Sequence, residues 1–177
     1  MKKILAVMLC ALLLWGCSAQ TPATTTTLPA ETQEQTPSES TPETTEAAPT
    51  LKVTDLFAQL ETIGLPNMLD MDPQMQLDIY GIRAEAVKQA KVVICSDGLR
   101  ADEIWLIEAV SAAEAEEIKS LAEGRLKQKD AESITYSPEQ NVIVKKSYIA
   151  MEGNFVIFLC SPDVEAMTAT VNAAFGK

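Results

Sequence analysis

The sequence contains no histidine, and this absence removes more chemistry than any other feature of its composition. Imidazole is the usual general base, general acid and metal ligand near neutral pH. Enzymes that depend on imidazole are therefore excluded in their usual forms, which leaves carboxylates, lysine, tyrosine and thiols as candidate catalysts. The sequence singles out no catalytic residue among these groups and implies no cofactor. It leaves the question of an enzyme open and leans against one.

Basic residues are also scarce, with 14 Lys and Arg against 25 Asp and Glu, for a formal net charge of -11. A nucleic-acid binder needs a basic patch that displaces counterions from phosphates. We therefore expect no nucleic-acid partner. Aromatic residues make up only 5% of the chain, which is few for the aromatic platforms that line the clefts of glycoside hydrolases.

The N-terminus has the organisation of a signal peptide. Lys2 and Lys3 precede an apolar run over residues 4–14, and Cys17 follows closely. The run is shorter than the roughly 20 apolar residues that cross a bilayer. The pattern is typical of a bacterial lipoprotein signal peptide over residues 1–16.

Cys17 is accordingly the predicted lipidation site. Trp15 departs from the small residue usual at its position, and an ordinary secretory peptide cut after Ala19 is the alternative. Two acyl chains hold a protein on a membrane where one chain would dissociate. The expected location is the extracytoplasmic face of the cell membrane, with the membrane contacted through the lipid anchor.

Residues 17–50 are predicted to form the lipidated cysteine and a disordered tether. This segment is rich in Thr, Pro and Glu and has too few large apolar residues to build a core. Its prolines favour extended polyproline conformations, so a tether of about 33 residues reaches up to roughly 100 Å. Residues 51–177 remain as a single folded domain.

Helices are predicted in four places within that domain. A first helix begins at an N-cap on Thr54, and a short helix covers Pro73 to Tyr80. Ser111 caps a long amphipathic helix, and Glu114 completes a capping box. Ser161 caps the last helix, with proline at its first position. The intervening residues 130–140 have the composition of a turn-rich loop.

Strands are predicted over residues 91–96, 103–110, 146–151 and 155–160, each rich in β-branched or aromatic residues. They form two β-hairpins, and each hairpin is followed by a helix. This order predicts an α+β fold with a four-stranded antiparallel sheet, helices packed on one face, and an N-terminal helix before it.

The central strands run apolar on both faces, as in residues 104–107 and 155–159, so the second sheet face needs a cover. The first helix and the region around Pro73 are one candidate cover. A partner protein of the envelope, a second copy of the chain or an apolar ligand is the other.

Two cysteines follow the signal peptide and Cys17, and both lie in apolar strand contexts. Cys95 and Cys160 could form a disulfide if their strands were neighbours in an oxidising envelope. The alternative is that both are buried free thiols that act as small hydrophobic residues. No histidine is present to generate a thiolate, so neither is expected to be catalytic.

Acidic residues cluster around a glycine turn at Asp97, Asp102 and Glu103. Carboxylates could hold Ca²⁺, but the spacing does not match an EF-hand loop. A solvated acidic turn is the better interpretation, so no metal site is predicted and Asp97 and Asp102 stay as weak candidates.

Arg125 lies on the otherwise apolar face of the long helix and needs a charged partner there. Glu103 or Glu108 of the second strand could supply a structural ion pair, which is favoured over the alternative of a ligand anchor. Tyr136 is expected to fix the long loop over residues 130–140 to the same region.

Several features together resemble an uncharacterised family of short lipoproteins from low-GC Gram-positive bacteria, domain of unknown function 4358. They span about residues 78–163 and are listed here: Tyr80-Gly81-Ile82, Glu103-Ile104 with Ile107, Ile118 to Arg125 with Gln128, Tyr136 with Pro138, Gly153-Asn154, and Asp163. The resemblance implies an envelope lipoprotein and transfers no catalytic residue. It makes Glu103, Arg125 and Tyr136 the candidate binding residues.

The expected function is a membrane-anchored binding or assembly module of the cell envelope, because the recognisable features concern placement. An envelope protein or a second copy of the chain is the expected partner. The alternative is a carboxylate-dependent hydrolase that acts on envelope polymers, for which only the acidic turn residues speak.

Overall fold

The computed structural model describes residues 51–177. The predicted signal peptide, the lipidation site Cys17 and the tether lie outside the described residues. In the part that is described, no helix is both long enough and apolar enough to cross a membrane.

The described residues contain five α-helices and five strands. The helices are α1 (Val53–Gly64), α2 (Pro73–Tyr80), α3 (Ala112–Tyr136), α4 (Pro138–Lys145) and α5 (Val164–Ala174), with a 3-10 turn at Ala84–Ala86. The strands are β1 (Met68–Asp70), β2 (Val87–Cys95), β3 (Glu103–Ala109), β4 (Tyr148–Glu152) and β5 (Phe155–Cys160).

The sheet has five strands in the order β1-β2-β3-β5-β4, and every neighbouring pair is antiparallel. The α+β class and both hairpins are confirmed. The count of four strands is wrong because β1 adds an edge strand beside β2, with Met68 opposite Cys95. β1 has only three residues, which is too short for an alternating pattern to reveal it.

Cys95 and Cys160 are buried free thiols, and the disulfide considered between them is not formed. Cys95 ends β2 and Cys160 ends β5, and β3 lies between those strands. Neighbouring strands are about 4.8 Å apart, so two spacings place the cysteines at roughly 9.6 Å. A disulfide needs Cα atoms within about 7 Å.

Side chains of β3 and β5 alternate between two hydrophobic clusters, as the pleat requires. Trp105 and Phe158 point into one cluster, which α2, α3 and α4 cover. Ile104 and Leu159 point into the other, which α1 and α5 cover. The chain therefore covers both sheet faces itself.

Coverage by the first helix is confirmed, but the arrangement of the other helices differs from the expected one. The helices after the two hairpins, α3 and α5, lie on opposite faces, and α2 packs with α3 rather than with α1. The result is a sheet between two helical layers. Each helix packs its apolar stripe on one sheet face, and the two layers together cover both faces of β3 and β5.

The predicted turn-rich loop over 130–140 is wrong, because α3 continues to Tyr136 and α4 follows almost at once. Except for the buried Ser133, the polar residues of this segment within α3 lie on its solvent-facing side. Asn141 Nδ2 donates to Asp130 Oδ1 at 2.7 Å and to Ser133 Oγ at 2.9 Å, which ties α4 to the last turns of α3.

One of the three predicted N-caps is confirmed. Ser111 Oγ accepts a hydrogen bond from the Glu114 amide at 3.3 Å, so Ser111 caps α3. Thr54 does not cap α1; the helix begins one residue earlier, and the Val53 amide donates to the side chain of Gln89 on β2. α5 begins at Val164 after Asp163, and Ser161 instead accepts from the Asp163 amide.

Candidate functional site

A buried carboxylate stands where β3 begins. Glu103 is the first residue of β3 and is 0% exposed. The alternation of the strand directs it, like Trp105 two residues later, to the face that α3 covers. An ionised carboxylate in such a place needs charged and hydrogen-bonding partners.

Glu103 receives those partners from α3 and from its own strand. Arg125 donates from Nε and Nη2 to the carboxylate over 2.9–3.2 Å. Lys129, one helical turn further along α3, donates from Nζ to Oε2 at 2.9 Å. Trp105 Nε1 donates to Oε1 at 2.9 Å. The expected ion pair of Arg125 is thus confirmed with Glu103.

The other candidate partner, Glu108, lies at the far end of β3 and binds other groups. Its carboxylate accepts hydrogen bonds from Lys88 and from Gln89 of β2. These hydrogen bonds offset the effect of burial, which would raise the pKa of Glu108, and hold that pKa below its ordinary value.

The cluster of Glu103, Arg125 and Lys129, called here the charged cluster, fixes the ionisation of its members. Burial alone would raise the pKa of Glu103, but Lys129 and Arg125 outweigh burial and hold that pKa below its ordinary value. Burial alone would lower the pKa of Arg125, and Glu103 raises it instead. Glu103 and Arg125 are therefore both charged near neutral pH, and Glu103 has no proton to donate.

An aromatic pair borders the charged cluster. The rings of Tyr80 and Trp105 have centroids 4.7 Å apart, and the guanidinium of Arg125 lies 5.5 Å from the Tyr80 centroid. Burial first, and the charge of Glu103 second, raise the pKa of the Tyr80 phenol well above its ordinary value. Tyr80 is therefore a neutral wall of the site rather than an acid or base.

An open groove of about 430 Å³ leads from the surface to the charged cluster. It lies between the β2–β3 turn and the C-terminal half of α3, and Gln140 of α4 closes its end by accepting a hydrogen bond from the Ala101 amide. We call it the charged groove. Its principal lining residues are Leu99, Asp102, Glu103, Arg125, Lys129 and Tyr136.

The rim of the charged groove is apolar and exposed. Leu99 of the β2–β3 turn is 73% exposed and Tyr136 at the end of α3 is 81% exposed, and both line the groove. Tyr136 therefore does not fix a loop to the domain, as the sequence had suggested; it ends α3 with its ring in solvent. Large exposed apolar side chains beside a buried polar centre are typical of binding sites.

The two weak metal candidates, Asp97 and Asp102, have different environments. Asp97 is exposed in the turn, where its carboxylate accepts from the Leu99 amide. Asp102 is buried in the groove wall and accepts from Arg100 Nε at 3.0 Å, while its Oδ1 accepts no hydrogen bond from the described residues. Within residues 51–177, no three potential protein ligands converge on a common point.

Two buried thiols lie near the site. Cys95 also lines the charged groove, and Cys160 is paired with Glu103 across the β3–β5 ladder. Burial raises the pKa of the Cys160 thiol, so this group stays protonated and is a poor nucleophile at neutral pH.

The structure brings Glu103, Arg125 and Tyr136, which the sequence had nominated together, to one groove. Sequence reasoning missed Lys129 as a member of the polar centre of that groove, and it placed Asp102 in a solvated acidic turn as a weak metal candidate. Lys129 stands one turn beyond Arg125, at the i+4 position that shares its helix face, and this spacing was the available signal. The burial of Asp102 had no such signal, because it depends on how the turn folds against α4.

A profile of a protein family matches residues 61–161, and the family is described as Domain of unknown function (DUF4358). The matched range includes the β2–β3 turn, all of α3 and the charged cluster. No curated protein and no solved structure matches the chain.

Proposed function

The chain belongs to the family described as Domain of unknown function (DUF4358), and from that premise we propose that it is a membrane-anchored, extracytoplasmic lipoprotein that serves as a binding module of the cell envelope. The charged groove is its binding surface. The observation that carries this proposal is the combination, in one open groove, of an exposed apolar rim with a buried charged centre.

The anchor is supported by the sequence of the N-terminus. Two lysines, a short apolar run and Cys17 stand in the order of a lipoprotein signal peptide. Cells grown with radioactive palmitate should label the wild-type protein and the Cys10→Ser variant, but not Cys17→Ser. Cys10 is the matched control because it lies within the apolar run itself. Label that persists in Cys17→Ser would contradict the anchor.

The charged cluster suits binding better than hydrolysis. A general acid must hold a proton in its resting state, and the lowered pKa of Glu103 keeps this group ionised. Its oxygens already accept hydrogen bonds from Arg125, Lys129 and Trp105. These contacts weaken the alternative of a carboxylate-dependent hydrolase, which rests on the acidic turn residues Asp97, Asp102 and Glu103.

Photo-crosslinking in living cells tests the binding surface. The photoreactive residue p-benzoylphenylalanine replaces Tyr136 at the groove rim in the full-length, membrane-bound protein. The matched control carries it at Ile79, which is 56% exposed on α2 and does not line the groove. A crosslinked envelope component at position 136 that is absent at position 79 supports the proposal. Equal crosslinking at both positions, or none at 136, would refute it.

A further inference from the structure

The charged cluster holds more positive than negative charge, and the other buried carboxylate of the groove, Asp102, is paired with Arg100 at 3.0 Å. Glu103 carries one negative charge, whereas Arg125 and Lys129 carry two positive charges on side chains that are 17% and 9% exposed. A charge taken out of water is costly unless it is paired. The charged cluster therefore retains one positive charge that its own carboxylate does not balance.

Glu132 is a further carboxylate near Arg125, but it interacts with Arg125 only weakly. Its Oε2 lies 3.9 Å from Arg125 Nη1, which is beyond hydrogen-bonding distance, and its side chain is 52% exposed. Gln128 donates to its other oxygen. Exposed ion pairs at such distances contribute little, so Arg125 remains open to a second anion.

Donors for such an anion are present on both cations. Arg125 uses Nε and Nη2 for Glu103 and leaves Nη1 without a hydrogen bond among the described residues. Lys129 has three N–H groups and directs one of them to Glu103. An anion that enters the groove can accept from Nη1 of Arg125 and from Nζ of Lys129.

Asp102 needs a hydrogen-bond donor, whereas Arg125 and Lys129 need an acceptor. Its side chain is 0% exposed, Oδ2 accepts from Arg100, and Oδ1 is a buried acceptor with no donor in residues 51–177. Leaving such an acceptor unpaired costs free energy. Asp102 lines the same groove, but Oδ1 is closed to solvent in this structure, so a hydroxyl or ammonium group on the ligand supplies the donor once the carboxylate rotates toward the groove.

We propose that the charged groove binds a small organic carboxylate that also carries a hydroxyl or ammonium donor and an apolar group. The carboxylate lies against Arg125 and Lys129, the donor bonds Asp102, and the apolar group packs between Leu99 and Tyr136. This ligand class rests on the proposed function and makes it specific. The groove volume of about 430 Å³ lies within the range of small-molecule sites.

Three related probes separate these requirements by calorimetry on the full-length protein in detergent. Phenyllactate has the carboxylate, the hydroxyl and the ring; 3-phenylpropanoate lacks the hydroxyl; 3-phenylpropane-1,2-diol lacks the charge. We expect phenyllactate to bind at least about tenfold more tightly than 3-phenylpropanoate, because 3-phenylpropanoate cannot make the hydrogen bond to the charged group of Asp102. The diol should not bind measurably. Phenyl phosphate, which lacks the hydroxyl, should bind no better than 3-phenylpropanoate.

Variants with matched controls locate the site. Lys129→Met removes the excess positive charge, leaves the Glu103–Arg125 pair neutral, and should abolish binding of phenyllactate. Lys127→Met removes an exposed lysine of the same helix that does not line the charged groove and should leave affinity unchanged. Glu132→Gln removes a competing carboxylate and should tighten binding several-fold.

Three outcomes would overturn this ligand class. They are no measurable binding of phenyllactate, an affinity for the diol equal to that for phenyllactate, or an equal loss of phenyllactate affinity in Lys127→Met and Lys129→Met. These outcomes are distinct from failure of the proposed function. Crosslinking specific to position 136 without binding of any probe would refute the ligand class and leave the binding module standing. Probe binding without that crosslink would support the ligand class and refute the module as an envelope-binding surface.

Discussion

The carboxylate of Glu103 and the guanidinium of Arg125 are joined by three hydrogen-bond contacts of 2.9–3.2 Å between the first residue of β3 and the middle of α3. Because Lys129 and Trp105 donate to the same carboxylate, it also fixes the helix over the sheet. A removal of Glu103 therefore affects folding as well as the groove.

Glu103→Gln should lower the free energy of unfolding by about 3–5 kcal/mol. The change leaves Arg125 and Lys129 as buried cations without a counter-charge, which is the costly way to disrupt a buried ion pair. Denaturant unfolding followed by circular dichroism measures the effect. Glu132→Gln is the control, because Glu132 is half-exposed and its change should stay within about 0.5 kcal/mol. Similar losses in the two variants would contradict the structural role of Glu103.

The contribution of Glu103 to the free energy of unfolding should decrease at acidic pH. In the folded protein the pKa of Glu103 lies below its ordinary value of 4.5, so the folded state binds a proton there less readily than the unfolded state. The contribution is therefore complete above about pH 4.5 to 5 and is lost as the pH falls through 4.5 toward the folded pKa.

The measurement is the difference in unfolding free energy between wild type and Glu103→Gln at several pH values from 7 down to 3. We expect that difference to be constant above pH 5 and to shrink below it. Glu108 also has a lowered pKa, but it is present in both proteins and cancels in the difference. A difference that grows as the pH falls would show that the sign is wrong.

Elements with a strong local pattern could be predicted from the sequence. The hairpin at Gly153 and β5 over residues 155–160 agree with the structure, since an apolar run bounded by turn residues determines both. The length of α3 could not be predicted in the same way. Its last turns are polar on the outside and are held by Asn141 of the following helix, which is a tertiary contact.

The same distinction applies to the candidate site. Arg125 drew attention because a charge on an apolar helix face needs a partner, and that reasoning led to Glu103. Tyr136 was nominated by resemblance, and its exposure at the groove rim could not be read from residues near it. The arrangement of helices on both sheet faces was also beyond the local pattern, because β3 and β5 are apolar on either side.

Cys95 and Cys160 should resist alkylation in the folded protein. Both thiols are buried, which limits access of the reagent, and burial also raises the pKa of Cys160, so that little Cys160 thiolate forms. Iodoacetamide labelling followed by peptide mass spectrometry should modify each at least about 100-fold more slowly in buffer than in guanidinium chloride. After mild oxidation, no peptide that links the two cysteines should appear. Such a peptide would contradict the strand order, which places β3 between them.

Alanine substitutions at two glycines, Gly81 at the end of α2 and Gly124 within α3, should change the stability of the protein in opposite directions. Gly81 ends α2 with φ of 76°, a left-handed conformation, although an added Cβ would meet only Leu121 at the ordinary distance of 3.7 Å. Gly81→Ala should therefore destabilise the protein by roughly 1–2 kcal/mol through backbone strain. Gly124 lies inside α3 with open space around it, so Gly124→Ala should stabilise by about 0.5–1 kcal/mol. Thermal unfolding of both variants tests the contrast, and a loss of stability in Gly124→Ala would mean that α3 is not a continuous helix at this point.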